Sequence, residues 1–148
     1  MNVEDIIRTR KEIPLEARTL IHLTLVNNKV NEIMSATLKP FGISIQQFNV
    51  LRILRGQENR PANLSTINER MVTKMSNTTR LVDKLLAKDY VIRKICPQNR
   101  RKVEIKITSK GLDVLNEIDG IKIEMEKKIL KKFTKRQLKE FNVLLDKF

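Results

Sequence analysis

The sequence predicts a mainly α-helical fold that contains one small β-hairpin. Only 4 glycines and 4 prolines interrupt the 148 residues, and Leu, Ile, Lys and Glu are abundant, a composition typical of helical proteins. Most segments repeat apolar residues at helical spacing, whereas residues 91–107 contain β-branched residues in strand-like alternation. The hydrophobic content of 41% is enough for one domain with a buried core.

Long helices are predicted near both ends of the chain. The stretch IPLEARTLIHLTLVNNKVNEIMSATLKPFG has helical apolar spacing, with Pro14 suited to its first turn and Pro40 and Gly42 at its end. In the C-terminal part, Thr108 is expected to cap a helix that continues through residue 133. These two segments account for much of the predicted helical content.

Two pairs of residues have the capping-box spacing that marks a helix start: Ser44 with Gln47, and Thr134 with Gln137. The second pair precedes a last helix, and the first pair opens SIQQFNVLRILRG.

After SIQQFNVLRILRG come the polar loop QENRPAN and a short helix in LSTINERM, and the linker VTKM then leads directly into a second helix in MSNTTRLVDKLLAK. Two short amphipathic helices joined by a tight turn form a helix-turn-helix.

The second helix of this pair, predicted to begin at Met75, opens with small polar residues instead of long solubilising ones. Its apolar side is predicted to contain Met75, Thr78, Thr79, Val82, Leu85 and Leu86. Its opposite side is predicted to contain Ser76, Asn77, Arg80, Asp83, Lys84 and Ala87. Short side chains at the start of that side would let a large partner approach the helix closely.

A β-hairpin is predicted directly after this helix. VIRKIC is rich in β-branched residues, and KVEIKI alternates apolar Val103, Ile105 and Ile107 with charged residues. The basic turn PQNRR between them places Arg100 and Arg101 near the hairpin tip. A helix-turn-helix followed by such a hairpin is a winged helix-turn-helix, here embedded in a helical scaffold.

The charge of the chain indicates an anionic partner. Thirty Lys and Arg against seventeen Asp and Glu give a formal net charge of +13. Such an excess favours binding to nucleic acid or to an anionic membrane surface. It carries no information about the fold.

Catalytic and metal-binding functions are disfavoured by the residue types available. The single cysteine, Cys96, excludes an intrachain disulfide, and with one histidine, His22, it forms neither a zinc cluster nor a convincing nucleophile–base pair. No glycine-rich phosphate loop or metal-ligand spacing is found, so no catalytic residue, metal or cofactor is expected. With no signal peptide or membrane span, a cytoplasmic location is expected.

The second helix of the helix-turn-helix is expected to enter a DNA major groove. Asn77 is suited to bidentate contact with adenine, and Arg80 to guanine or phosphate. Ser76 serves equally well as a helix cap or a DNA contact, and Thr79 is the weakest candidate because it is predicted toward the apolar side. Lys84, on the outer side, completes this set of candidates.

The basic hairpin tip is the second candidate DNA contact. Basic hairpin turns are often only solvated edges. Here Arg100 and Arg101 closely follow a candidate recognition helix in a strongly basic chain. Contact with the minor groove or its flanking phosphates is therefore favoured.

From roughly Ile13 onward, the chain resembles the MarR (multiple antibiotic resistance regulator) family of transcriptional regulators. The resemblance lies in TTRLVDKLLAKDYVIRK, in PQNRRKVEIKITSKG and in the long helices at both ends. The family's wing usually has Asp-x-Arg and then alternating apolar residues before Leu-Thr-x-x-Gly. This chain has Asn99 where the Asp is usual, Arg101 at the Arg, and Asp89 where a glycine commonly ends the recognition helix. Asp tolerates that left-handed position better than most residues, whereas Asn99 cannot form a carboxylate–guanidinium pair.

The resemblance implies one domain over 1–148, with a DNA-binding lobe at 44–108 and a helical dimerisation region at 13–40 and 109–148. It implies a homodimer on double-stranded DNA, most simply a repressor on a pseudo-palindromic operator, and a small anionic or aromatic effector. The candidate dimer contacts are Leu15, Ile21, Leu138, Phe141 and Leu145. Packing of the same residues within one chain is an equally favoured alternative.

The sequence leaves other functions open. A sequence-tolerant basic DNA-binding protein without a dedicated operator would share the charge and the fold. A helical partner-binding module is disfavoured by the basic wing, and a membrane-surface role for KKILKKFTKRQLKEFNVLLDKF is explained more simply by dimer packing. His22 and Cys96 are expected to be structural rather than sensory.

Overall fold

The computed structural model describes residues 2–58, 60–72, 77–96 and 99–148, without the side chains of residues 96 and 99–102. The helices are α1 (Val3–Ile7), α2 (Leu15–Leu38), α3 (Ile45–Arg55), α4 (Leu64–Arg70), α5 (Thr78–Leu86), α6 (Ser109–Leu130) and α7 (Lys135–Leu145). The strands are β1 (Val91–Cys96) and β2 (Asn99–Ile107), which form an antiparallel hairpin. The predicted fold class, mainly helical with one small hairpin, is confirmed.

The predicted helix caps are present. The Ser44 hydroxyl accepts a hydrogen bond from the Gln47 backbone N–H at 3.2 Å, and the Gln47 side chain accepts one from the Ser44 N–H at 2.8 Å. Thr134 forms the equivalent capping box before α7. The Thr108 hydroxyl accepts from the Gly111 N–H at 3.0 Å and so caps α6. Each cap satisfies backbone donors that would otherwise lack a partner.

The core is centred on α3, which contacts α2, α4, α5, α6 and β2. Its residues Phe48, Val50 and Leu51 are at most 2% exposed. Around them lie fully buried residues from the neighbouring elements: Leu38, Ile67, Val82, Leu85, Ile105, Leu115 and Ile118. The scaffold helices and the helix-turn-helix therefore share one hydrophobic cluster.

The hairpin is fixed to the helical core through β2. Ile105 is completely buried opposite Arg93 of β1. On its other side, Ile105 exchanges two backbone hydrogen bonds with Ala62, at 2.7 and 2.9 Å. This bridge lies in the segment predicted as a polar loop, and a single paired residue leaves no alternating pattern by which to predict it.

The ends of the long helices differ slightly from the predictions. Pro14 is the N-cap of α2 rather than a first-turn residue, and α2 passes into a 3₁₀ turn, Lys39–Phe41, closed by Gly42 at φ 62°. Helix α6 ends at Leu130, so Phe133 lies beyond it. Helix boundaries of this kind depend on the last few backbone hydrogen bonds, which composition does not specify.

Helix α1 was not predicted. It has only five residues, too few to be stable alone, and it packs on α2 with Val3 fully buried. The Glu4 carboxylate accepts hydrogen bonds from Nε and Nη2 of Arg18 at 2.6 and 3.1 Å. This bidentate pair lowers the pKa of Glu4 below its ordinary value. Within the described ranges, no helix is both long and apolar enough to cross a membrane.

Two glycines of α6 provide a matched test of the junction between β2 and α6. A Cβ at Gly111 would collide with the Tyr90 carbonyl oxygen and lie 2.8 Å from Cγ1 of Ile107, whereas one at Gly120 would meet nothing within 4 Å. Gly111→Ala should therefore lower the free energy of unfolding by about 1–3 kcal/mol. Gly120→Ala should be neutral or raise it by about 0.5–1 kcal/mol. Urea unfolding followed by circular dichroism measures both, and equal midpoints for the two variants would contradict the close packing at Gly111.

Candidate nucleic-acid interface

Helix α5 has one buried and one exposed side. Val82 and Leu85 are completely buried against the core, and α5 contacts α3 and α4. This packing fixes the rotation of the helix about its axis. The side chains that it leaves exposed are Asn77, Thr79, Arg80, Asp83 and Lys84. Asn77, Arg80, Asp83 and Lys84 were predicted to lie on the outer side of the helix. Thr79 was also a candidate DNA contact, but it was predicted to lie toward the apolar side.

The start of α5 lies later than predicted. The helix begins at Thr78, because Asn77 has a non-helical backbone (φ −132°, ψ 37°) and occupies the N-cap position. The prediction of a helix running from Met75 is therefore wrong. The Asn77 side chain makes no capping hydrogen bond in the structure, so its amide is not committed to the helix end. The predicted role of Ser76 falls on residue 76, which lies outside the described residues.

The two adjacent threonines have different environments. Thr78 is 7% exposed, and its hydroxyl donates to Oδ1 of Asn68 in α4 at 3.2 Å. Thr79 is exposed next to Arg80. The expectation that Thr79 lies toward the apolar side was wrong. Successive helical residues are about 100° apart, and the buried stripe of Thr78, Val82 and Leu85 leaves Thr79 outside it. Thr79 is consequently a stronger interface candidate than the sequence indicated.

Of the three charged residues on the exposed side of α5, only Asp83 has an ion-pair partner among the described residues. Asp83 accepts a hydrogen bond from Nη1 of Arg93 in β1 at 2.7 Å. Neither Arg80 nor Lys84 forms an ion pair with any residue in the described part of the chain. The only carboxylate on this side of the helix is thus neutralised by the hairpin, while both cations remain available to an external anion. Sequence analysis missed this pair, since no periodic pattern relates a helix residue to a strand residue ten positions later.

The end of α5 is joined to the start of α6. Asp89 has a left-handed backbone with φ 60°, as expected for a residue at a position that favours glycine. The Thr108 hydroxyl donates to the Asp89 carbonyl oxygen at 2.7 Å, and Lys110 Nζ lies 3.6 Å from the Asp89 carboxylate. The turn that follows α5 is therefore hydrogen-bonded to the N-cap residue of α6.

The hairpin tip carries the predicted basic residues. Strand β2 begins at Asn99, so the backbones of Arg100 and Arg101 lie at the tip end of the hairpin, where the register with β1 shifts between Ile95 and Cys96. The side chains of Asn99, Arg100 and Arg101 lie outside the described set. The structure gives the position of the two arginines along the hairpin and no contact for them.

The candidate dimer residues are unevenly exposed. Leu15 is 74% exposed, Phe141 41% and Leu145 37%, whereas Ile21 and Leu138 are half-buried. Helix α7 has no buried residue. Other apolar residues are also exposed on α2 (Leu20), on α7 (Val143 and Leu144) and after α7 (Phe148). The described residues hold no group of three His, Cys, Asp or Glu that could bind a metal ion.

A helix-turn-helix with a polar recognition helix, followed by a basic hairpin, places the protein in the winged helix-turn-helix class. A model of the MarR family matches residues 43–103. The transcriptional regulator MhqR of Bacillus subtilis is 31% identical over 101 residues, which are 68% of each chain. The chain therefore belongs to the MarR family of DNA-binding transcriptional regulators.

Solved structures show the same architecture. Wild-type MarR from Escherichia coli superimposes with a TM-score of 0.71 at 25% identity, over 93% of this chain and 98% of that one. A MarR-like transcription regulator from Bacillus cereus gives a TM-score of 0.80 at 22% identity, over 90% and 96% of the two chains. The similarity extends across the terminal helices as well as the winged helix.

The Asp83–Arg93 pair is testable by a double-mutant cycle on stability. Both side chains are about half exposed (50% and 41%), so the coupling between Asp83→Ala and Arg93→Ala should be about 0.2–1 kcal/mol and should shrink in high salt. Urea unfolding of the wild type, both single variants and the double variant measures it. Additive effects at low salt would show that this pair does not join α5 to the hairpin in solution.

Proposed function

We propose that the protein is a homodimeric, sequence-specific repressor that binds a pseudo-palindromic operator through α5 and the hairpin. The observation that carries this proposal is the exposed side of α5. Arg80 and Lys84 are without described ion-pair partners there, and Asn77 has no capping bond. An unpaired guanidinium and an uncommitted amide are the groups that recognise base edges in a major groove.

Each exposed residue of α5 is given a role by its chemistry. Asn77 and Arg80 are proposed to bind base edges, because amide and guanidinium groups form bidentate contacts with adenine and guanine respectively. Thr79 is proposed to contact a base or its methyl group, and Lys84 a phosphate. Ser76, which precedes the N-cap residue Asn77, is proposed to contact a phosphate.

The hairpin is proposed to bind next to the recognition helix. Arg100 and Arg101 lie at the tip end of β2 and would contact the minor groove or its phosphates. The Asp83–Arg93 pair supports this arrangement in two ways. It joins the strand to the helix, and it offsets a carboxylate that would otherwise repel DNA.

Dimerisation is proposed through the terminal helices. The candidate residues are Leu15, Ile21, Leu138, Phe141 and Leu145. Support comes from the exposed apolar side chains of Leu15 on α2 and of Phe141 and Leu145 on α7, because exposed apolar surface marks interaction sites. A two-fold dimer would present two copies of α5 to half-sites about 10 bp apart.

The remaining parts of the proposal follow from this role. A regulator that acts on the chromosome works in the cytoplasm, without catalytic residues, cofactor or membrane partner. Release from DNA is assigned to a small anionic or aromatic effector, which must have different affinities for the DNA-competent and incompetent states. Repression would result from occupying a promoter and excluding polymerase.

The alternative function is sequence-tolerant DNA binding driven by the net charge of +13. Selection of random duplexes by the purified protein, with the selected sequences compared at low and near-physiological salt, separates the two. A repressor should enrich a pseudo-palindrome whose preference over random DNA persists at the higher salt. Enrichment of no sequence, with binding lost uniformly as salt rises, would leave only the alternative.

Arg80→Ala should weaken binding to the selected operator by about 1–3 kcal/mol and relax the sequence preference at one position per half-site. The reason is the loss of a bidentate base contact. Fluorescence anisotropy with the operator and its single-base variants measures both effects. Arg136→Gln, which removes an exposed cation from α7, is the control and should leave the preference unchanged. An Arg80 variant with unaltered specificity would remove this residue from base recognition.

Phe141→Asp combined with Leu145→Asp should convert the dimer to monomers, because a dimer interface would bury both charges without partners. Sedimentation velocity measures the oligomeric state, and operator affinity should fall with it. Ile92→Asp, at an exposed apolar residue of the hairpin, is the control and should remain dimeric. A wild-type protein that sediments as a monomer at micromolar concentration would contradict the dimer proposal.

A further inference from the structure

The first turn of α5 is attached to the rest of the protein differently from the turn that follows it. The second turn contains Val82 and Leu85, which are both completely buried. Of the first-turn residues, 78–81, only Thr78 is buried, at 7% exposure, and Leu81 is partly buried against the core. At the very start of the helix, Thr78 is therefore the point of attachment.

The Thr78 side chain joins α5 to α4 by a polar contact. Its hydroxyl donates a hydrogen bond to Oδ1 of Asn68 at 3.2 Å. Within the described residues, this is the one side-chain hydrogen bond between the two helices. The N-cap residue Asn77 makes no capping bond with its own side chain. The start of α5 is thus held by a bond to α4 rather than by a side-chain cap.

The acceptor belongs to a helix that is itself held in place. Asn68 follows Ile67, which is completely buried in the core. At the start of α4, Asn63 caps the helix, and the residue before it, Ala62, exchanges two backbone hydrogen bonds with Ile105 of β2. Helix α4 therefore connects the hairpin to the first turn of α5.

One role of this bond is to satisfy a buried hydroxyl. An unpaired hydroxyl at this depth would lower stability. A threonine inside a helix commonly donates to the carbonyl four residues earlier, as Thr37 of α2 does to Ile33 at 2.9 Å. Thr78 is the first residue of α5 and has no such carbonyl in its own helix. The need for a partner explains why the hydroxyl is bonded.

The position of the bond gives it a second consequence. Thr78 lies between Asn77 and Thr79 in the chain, and Arg80 follows them. A hydrogen bond has a preferred direction as well as a preferred distance, so it restricts the orientation of this turn more narrowly than an apolar contact would. Recognition groups need such support, because the productive geometry tolerates errors of only about 0.5 Å or 10–20°.

We propose that the Asn68–Thr78 hydrogen bond is a positioning contact that determines the sequence preference of the protein. It holds the first turn of α5 against α4 and so fixes the orientation in which Asn77, Thr79 and Arg80 meet the major groove. Because α4 is also bridged to β2, the bond fixes this turn relative to the hairpin as well. The effect on sequence preference rests on the proposed repressor function, whereas the anchoring of the turn does not.

The anchoring is tested in the DNA-free protein by amide hydrogen exchange. Thr78→Val retains the shape of the side chain and removes its hydroxyl, and Asn68 is exposed enough to bond to water instead. The amides of residues 81 and 82 should then exchange about three- to tenfold faster, the ratio expected for one net hydrogen bond. Thr37→Val, which removes a half-buried hydroxyl from α2, is the control and should leave these two amides at the wild-type rate. Equal exchange in the wild type and Thr78→Val would overturn the anchoring.

The effect on DNA is measured as the ratio of the affinities for the selected operator and for a random duplex, by fluorescence anisotropy. Thr78→Val should lower this ratio about three- to tenfold, by weakening operator binding while random-duplex binding is unchanged. Thr78→Ser keeps the hydroxyl and should retain the wild-type ratio. Asn68→Ala should lower the ratio as Thr78→Val does, and the double variant should lower it no further, because both changes remove the same bond.

Three results would overturn the positioning role. The first is a Thr78→Val protein that keeps the wild-type ratio, whatever its stability to urea, because the hydroxyl would then be structural only. The second is a Thr78→Ser ratio as low as that of Thr78→Val, which would assign the effect to the methyl group. The third is additivity of the Asn68→Ala and Thr78→Val effects, which would show that the two side chains act separately.

The two measurements separate this inference from the repressor function. A wild-type protein that selects no operator would refute the repressor and, with it, the effect on sequence preference. Faster amide exchange in Thr78→Val would still leave the anchoring established. Specific operator binding by the wild type, with an unchanged ratio in Thr78→Val, would do the reverse: the repressor would stand and the positioning role would not.

Discussion

The packing of α5 against α3 is the constraint on which the rest of the molecule depends. Val82 and Leu85 are buried in the same cluster as Phe48 and Leu51 of α3, and this fixes the rotation of the recognition helix. Because the rotation is fixed, Asn77, Thr79, Arg80 and Lys84 are exposed together. Burial of the apolar side of α5 therefore determines which of its polar side chains are exposed.

The same core connects the winged helix-turn-helix to the helices α2 and α6. Leu115 and Ile118 of α6 and Leu38 of α2 belong to the cluster that includes α3. The Arg55–Asp119 pair adds a polar contact between α3 and α6 at its margin. Helix α3 contacts α2, α5 and α6, so it packs against both the scaffold helices and the second helix of the helix-turn-helix.

The fold was largely predictable because it depends on local patterns. Apolar periodicity identified α3, α4 and the hairpin, and side-chain chemistry identified the caps at Ser44, Thr108 and Thr134. The features that sequence analysis missed are contacts between residues on different elements: the Ala62–Ile105 bridge and the Asp83–Arg93 pair. The error at Thr79 arose because this residue lies at the margin of the apolar stripe, where tertiary packing and not the helical period decides exposure.

The central claim is that DNA binds the exposed side of α5 together with the hairpin. The most direct measurement is the change in backbone amide NMR shifts of the dimer when the selected operator duplex is added. The account predicts that the largest changes fall within residues 77–84 and 91–107. Changes confined to the basic surfaces of α6 and α7, with residues 77–84 unaffected, would contradict it.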